Sequence, residues 1–123
     1  MTRYLVATAS AATTEAACEY LEGKLEPDDE VYVLTVDVPD EDDDGEAALD
    51  LAQVELAALV EIRTIRRDGD PAREIVTFAG ENDVDQIILG PARTGGISTI
   101  GSTTRAVLKR VDTPVFVLPA QSI

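Results

Sequence analysis

Residues 90–111 read GPARTGGISTIGSTTRAVLKRV. Four glycines and a series of hydroxyl side chains stand there between an apolar run and a helical pattern. The chemistry such a stretch suits is the holding of phosphate groups. Glycines let backbone N–H groups approach phosphate oxygens, and a helix N-terminus adds partial positive charge. Gly101, Ser102, Thr103 and Thr104 would open that helix, with hydroxyls able to bond a phosphate or cap the backbone. Glycine spacing alone is equally the mark of a loop followed by an N-cap, so other residues must decide.

A second constellation is acidic. Asp40, Asp42, Asp44 and Gly45 fall at the first, third, fifth and sixth places of an EF-hand loop. The last place, which needs a bidentate glutamate, holds Leu51, and no helix enters the segment. It reads as a solvated acidic connection. The chain has no histidine and one cysteine, Cys18. Histidine-based triads, imidazole or thiolate metal sites and internal disulfides are therefore excluded. Cys18 lies in an alanine-rich helical pattern and reads as a small packed residue rather than a reactive thiol. No paired carboxylates stand near strand ends, so no catalytic residue is identified.

The elements that must position these residues alternate along the chain. Residues 4–9 (YLVATA) are an unalternating apolar run, a buried strand. Thr13 or Thr14 then serves as N-cap to a helix whose face is Ala17, Tyr20, Leu21 and Leu25. Residues 31–38 (VYVLTVDV) form the clearest strand, and Leu49, Ala52, Leu56 and Leu59 mark a second helix. Residues 60–65 read as an edge strand. Asp70 followed by Pro71 starts a third helix with a stripe of Ala72, Ile75, Val76 and Ala79. Residues 86–89 and 115–118 are further strands. Between them Ala106, Val107 and Val111 give the last helix its face, and Lys109 and Arg110 suit its C-terminal dipole. Strict alternation of strand and helix predicts an α/β fold, a parallel sheet with helices on both faces.

Composition bounds the class. At 123 residues with 45% hydrophobic content, a single domain over residues 1–123 is expected. The net charge of −14 argues against nucleic acid and anionic membrane surfaces as partners. Two lysines stand against eight arginines. Dense carboxylate with so little lysine is what a salt-rich cytoplasm favours, so a halophilic source is expected. No apolar run reaches membrane-spanning length and no signal-peptide core is present, which predicts a cytoplasmic protein.

Over nearly its whole length the chain resembles the universal stress protein family. The resemblance rests on VATAS after the first strand, LTVDVP at the second, GDPAREIV at the third helix, VDQIILG at the fourth strand, GS at the fourth helix and TPVFVLP at the fifth strand. It implies a five-stranded parallel sheet, Rossmann-like and doubly wound, in the order 3-2-1-4-5 with four helices. It also implies a homodimer through the strand at 113–119. Family members that bind ATP, with magnesium, carry G-x2-G-x9-G-[S/T] after strand four. Gly90 matches the first glycine, and Gly101 with Ser102 the last pair. Arg93 stands in place of the second glycine, and the loop is two residues short. Ala9 stands where those members have an aspartate. Gly95 and Gly96 restore backbone freedom, and an inward Arg93 could pair with a phosphate.

The candidate binding set is therefore Ala7, Thr8, Ala9, Val36, Leu89, Gly90, Arg93, Gly95, Gly96, Gly101, Ser102 and Thr103. Two readings remain open. One is a nucleotide-binding module, with slow ATP hydrolysis as its furthest extension. The other is a dimeric stress-response module with an anion-filled cleft and weak or no ATP binding. Two other doubly wound sites fit less well. A response-regulator receiver lacks its acceptor aspartate, since Arg66 and Arg67 stand after strand three. A flavodoxin-type cleft has too few aromatics to sandwich a flavin.

Overall fold

A computed structural model of the chain describes residues 1–37, 45–90 and 102–118. Strands and helices alternate without exception among them. The order is β1 (Arg3–Ala7), α1 (Ala11–Glu22), β2 (Glu30–Asp37), α2 (Gly45–Leu56), β3 (Glu61–Asp68), α3 (Pro71–Glu81), β4 (Gln86–Leu89), α4 (Ser102–Arg110) and β5 (Val115–Val117). The strands form one parallel sheet in the order β3-β2-β1-β4-β5.

The apolar runs do not alternate because both sheet faces are covered, and successive side chains point to opposite faces. Val6, Val33 and Ile88 pack with Ala17, Leu21, Ala52 and Leu56 of α1 and α2. Leu5, Leu34 and Ile87 pack on the other face with Ala72, Ile75 and Phe78 of α3 and Val107 of α4. Leu5, Leu21, Leu34, Ile87 and Ile88 are fully buried. A stacked pair, Tyr20 and Phe116 with centroids 4.1 Å apart, ties α1 to β5.

Several boundaries differ from the sequence reading, each for a local reason. The N-cap of α1 is Ser10, whose side chain accepts from the Thr13 N–H at 3.2 Å, and Thr13 and Thr14 lie inside the helix. Alanines at positions 11 and 12 carry the helix back to that cap. Leu59 lies beyond α2 and is exposed, because the Leu56 carbonyl takes the N–H groups of Leu59 and Val60 and ends the helix. β3 runs on to Asp68, paired with β2 along its full length. There Arg67 lies 5.2 Å from the Phe78 ring and reaches Glu74 and Glu81, so charged residues fit within a strand. On α3, Asp70 caps and Pro71 begins the helix as expected. Phe78 replaces Val76 in its buried stripe.

At the amino ends of the strands Asp29 forms a buried tie. It is only 4% exposed. One carboxylate oxygen accepts from the Thr2 N–H at 2.8 Å and the other from the Glu26 N–H at 2.9 Å. Beside it Arg3 donates to Glu30 at 2.9 Å, and the Arg3 N–H donates to Asp85 at 2.8 Å.

Cys18 is buried in the α1–α2 layer. Burial, helped by Glu55, Glu22 and Glu15, pushes its thiol up to about 11. It is a packing residue, as its helical position suggested.

Candidate functional site

The carboxyl ends of β1 and β4 lie side by side, with Ala7 opposite Leu89. From this seam the chain leaves β1 for the α1–α2 face and β4 for the α3–α4 face. That divergence opens a crevice, the usual ligand position in a doubly wound sheet. Of the expected residues, Ala7, Thr8, Leu89 and Gly90 meet at this seam, and Val36 stands at the neighbouring end of β2. Ala9 follows in the β1–α1 turn. Ser102 opens α4, and Thr103 sits half-buried in its first turn. Arg93, Gly95, Gly96 and Gly101 lie outside the described residues.

Gly90 is fixed by contact. A Cβ built on it would lie 2.7 Å from Thr13 Cγ2 and 3.1 Å from Thr13 Oγ1, so any side chain would collide with the start of α1. This places the first residue of the glycine stretch directly against the first helix. Gly90→Ala is expected to cost about 1–2 kcal/mol by overpacking. Thr13→Ala in the same chain should recover most of that loss, leaving contacts no closer than the Cβ distance of 3.5 Å. Urea melts of the single and double variants measure both, and an unrescued loss would contradict this contact as the cause.

Around the seam runs a hydroxyl network that the sequence reading did not single out. The Thr8 and Thr14 hydroxyls lie 3.1 Å apart and reach the Ser10 carbonyl at 2.9 and 3.1 Å. Ser10 Oγ lies 3.1 Å from Thr13 Oγ1, and the Thr35 hydroxyl donates to the Thr8 carbonyl. Thr8, Thr14 and Thr35 are buried. Among the described residues no buried side-chain polar atom is left without a partner. These hydroxyls therefore brace the β1–α1 turn from within. The signal for it was the hydroxyl content of TASAATT, which fits capping and ligand binding equally well.

One charged pair closes the end of β2. Asp37, ending β2, takes two hydrogen bonds from Arg66, at 2.7 and 3.0 Å. Among the described residues no three His, Cys, Asp or Glu side chains gather as a metal site. The described residues at the seam present backbone, hydroxyl and small apolar groups. No described helix is long and apolar enough to cross a membrane.

The model of the universal stress protein family matches residues 1–119. The chain belongs to the universal stress protein family. Solved structures carry the same fold at low identity. The universal stress protein UspA of Lactobacillus plantarum is 19% identical, with a TM-score of 0.69 and coverage of 96% of this chain and 97% of that one. A universal stress protein family protein of Arabidopsis thaliana, solved with AMP bound, is 19% identical with a TM-score of 0.72, covering 96% and 91%. A universal stress protein in complex with cAMP is 20% identical with a TM-score of 0.69, covering 95% of each chain. A search of curated proteins found no match. The sheet order and the four helices expected of the family are those of this structure.

Proposed function

We propose that this universal stress protein is a small cytoplasmic stress-response module, one domain over residues 1–123, whose cleft takes an adenine nucleotide weakly or a smaller phosphate-type anion. The observation that carries the reading is the β1–β4 seam. There Gly90, kept bare by Thr13, starts the glycine stretch next to Ala7 and Thr8. The structures of family members with AMP and cAMP support adenine nucleotides as the ligand class. Ala9 and Arg93, which replace an aspartate and a glycine of the ATP-binding pattern, support weak ATP affinity. No catalytic residue is assigned.

The second reading, a genuine ATP-binding and slowly hydrolysing member, is favoured by one feature. Gly101 and Ser102 stand in sequence where α4 begins. Backbone N–H groups and the helix dipole would then meet the phosphates, worth about 0.3–1 kcal/mol for the dipole at an exposed site. Magnesium would have to be held largely by those phosphates.

The protein is further read as a homodimer through the strand at 113–119. β5 is an edge of the sheet, and Val115, Phe116 and Val117 on it are only half-buried. Such an edge invites pairing. Its acidity fits a halophilic cell.

Purified protein, denatured and read by absorbance, should release little adenine nucleotide, and calorimetry with magnesium and salt should find no tight ATP site. Arg93→Gly should strengthen ATP binding. Light scattering on the same sample should give twice 13.1 kDa. Tight magnesium-dependent ATP binding would overturn the first reading in favour of the second, and a monomer mass at every concentration would overturn the dimer.

A further inference from the structure

We infer that Thr13 is a positioning residue of the cleft: it fixes where the glycine stretch leaves β4, and ligand affinity depends on it through Gly90 rather than by contact with the ligand. The inference rests on the cleft reading above and concerns how that site is kept in shape. A site that offers backbone N–H groups needs the backbone itself held, and glycine supplies no side chain to anchor it. Gly90 is anchored from outside. The three heavy atoms nearest to its absent Cβ, at 2.7, 3.1 and 3.5 Å, all belong to Thr13. Thr13 is β-branched, so its side chain has few rotamers open to it in a helix. Ser10 narrows that choice, since its Oγ donates to Thr13 Oγ1 at 3.1 Å and accepts from the Thr13 N–H at 3.2 Å.

Ser10 is held in turn. Its carbonyl accepts from the Thr8 and Thr14 hydroxyls and, at 3.1 Å, from the Thr14 N–H. Thr8 is tied to β2 twice. Its N–H donates to the Leu34 carbonyl at 3.0 Å, and its carbonyl accepts from the Thr35 hydroxyl. The series thus runs from Thr35 through Thr8 and Ser10 to Thr13 and Gly90, and it joins the two strands whose divergence opens the cleft. On the β4 side the Leu89 carbonyl accepts from the Leu118 N–H at 2.8 Å, so that strand is held up to the residue before Gly90. Packed interiors transmit a displacement rather than absorb it. Shortening Thr13 opens a gap beside Gly90, and the backbone there then holds its binding position for a smaller fraction of the time. Apparent affinity falls by that fraction.

Titration of the intact chain with AMP, followed by nuclear magnetic resonance in salt and magnesium, tests this, with inorganic phosphate as a second probe. Thr13→Ala should weaken AMP binding about tenfold. Thr13→Val keeps the shape and loses only the bond from Ser10, so its loss should be about threefold. Adding Gly90→Ala to Thr13→Ala brings a methyl to the same contact from the other side and should recover most of the affinity. Urea midpoints of Thr13→Ala and Thr13→Val should lie close together. AMP binding by Thr13→Ala equal to that of the parent would overturn the inference and leave the cleft reading standing. An equal loss in Thr13→Val would overturn it too, by making the hydroxyl rather than the contact with Gly90 the cause, and a loss that only tracks stability would assign Thr13 to the fold alone. A parent chain that binds neither AMP nor phosphate would overturn the cleft reading and this inference with it.

Discussion

Replacing Asp29 with alanine should lower stability by about 2–4 kcal/mol, the largest loss expected from any single polar side chain described above. The side chain is 4% exposed and satisfies two backbone donors, Thr2 N–H and Glu26 N–H. Its removal unpairs both, and because the two bonds are part-buried with Glu26 exposed, water recovers a share of the roughly 1–3 kcal/mol that each donor would cost if fully buried. Asp29→Asn keeps the shape and one good acceptor, so about half the loss should remain. Urea unfolding checks both variants, with an unchanged slope showing that stability alone has moved. A loss below about 1 kcal/mol for the alanine variant would mean that the segment before β2 relaxes freely and the tie is unimportant.

The second large effect is on the whole molecule. With 24 acidic and 10 basic residues, the folded chain concentrates repulsion that the unfolded chain spreads out. Raising potassium chloride from about 0.1 M to about 1 M shortens the screening length from about 10 Å to about 3 Å. We expect a gain of about 2–3 kcal/mol, or roughly 10 °C in melting temperature at this chain length. The exposed pairs do not offset this. Arg63–Glu61, at 3.9 Å, is one of a class worth about 0–1 kcal/mol each, and salt weakens them. Scanning calorimetry in chloride and in an equal concentration of a neutral osmolyte separates screening from general exclusion effects. A melting temperature indifferent to salt would remove the argument for a halophilic source.

The fold was readable in sequence where one signal dominated. Asp70-Pro71 is a strong helix start, and the short unbroken apolar runs at β1, β2 and β4, bounded by turn signals, read as strands buried on both faces. Boundaries failed where signals competed. Ser10, Thr13 and Thr14 are all capable caps, and the choice fell to Ser10 because the strand before it stops at Ala7. Leu59 has the right spacing for α2 but lies past the residue that ends it. Phe78 takes the buried place that spacing assigns to Val76, because spacing alone does not show that β3 leaves Arg67 and β2 leaves Tyr32 beside its ring. The site was half legible. Gly90 could be chosen from the glycine pattern, yet its reason, the Thr13 methyl, is a contact across 77 positions that no local motif displays.

The central position of β1 has a consequence for how the chain acquires its shape. On one side β1 binds β2, with Arg3 opposite Glu30, and on the other it binds β4, with Tyr4 opposite Gln86. The first partner is a short crossover away. The second requires most of the domain to be strung between the two strands, and its closure entropy must be met before its contacts form. During synthesis, β1, β2 and β3 can therefore assemble as a three-strand unit with one flank of β1 still open. The crevice between β1 and β4 comes into being only when that flank is closed, so this end of the sheet is among the last parts of the nascent protein to take its final form.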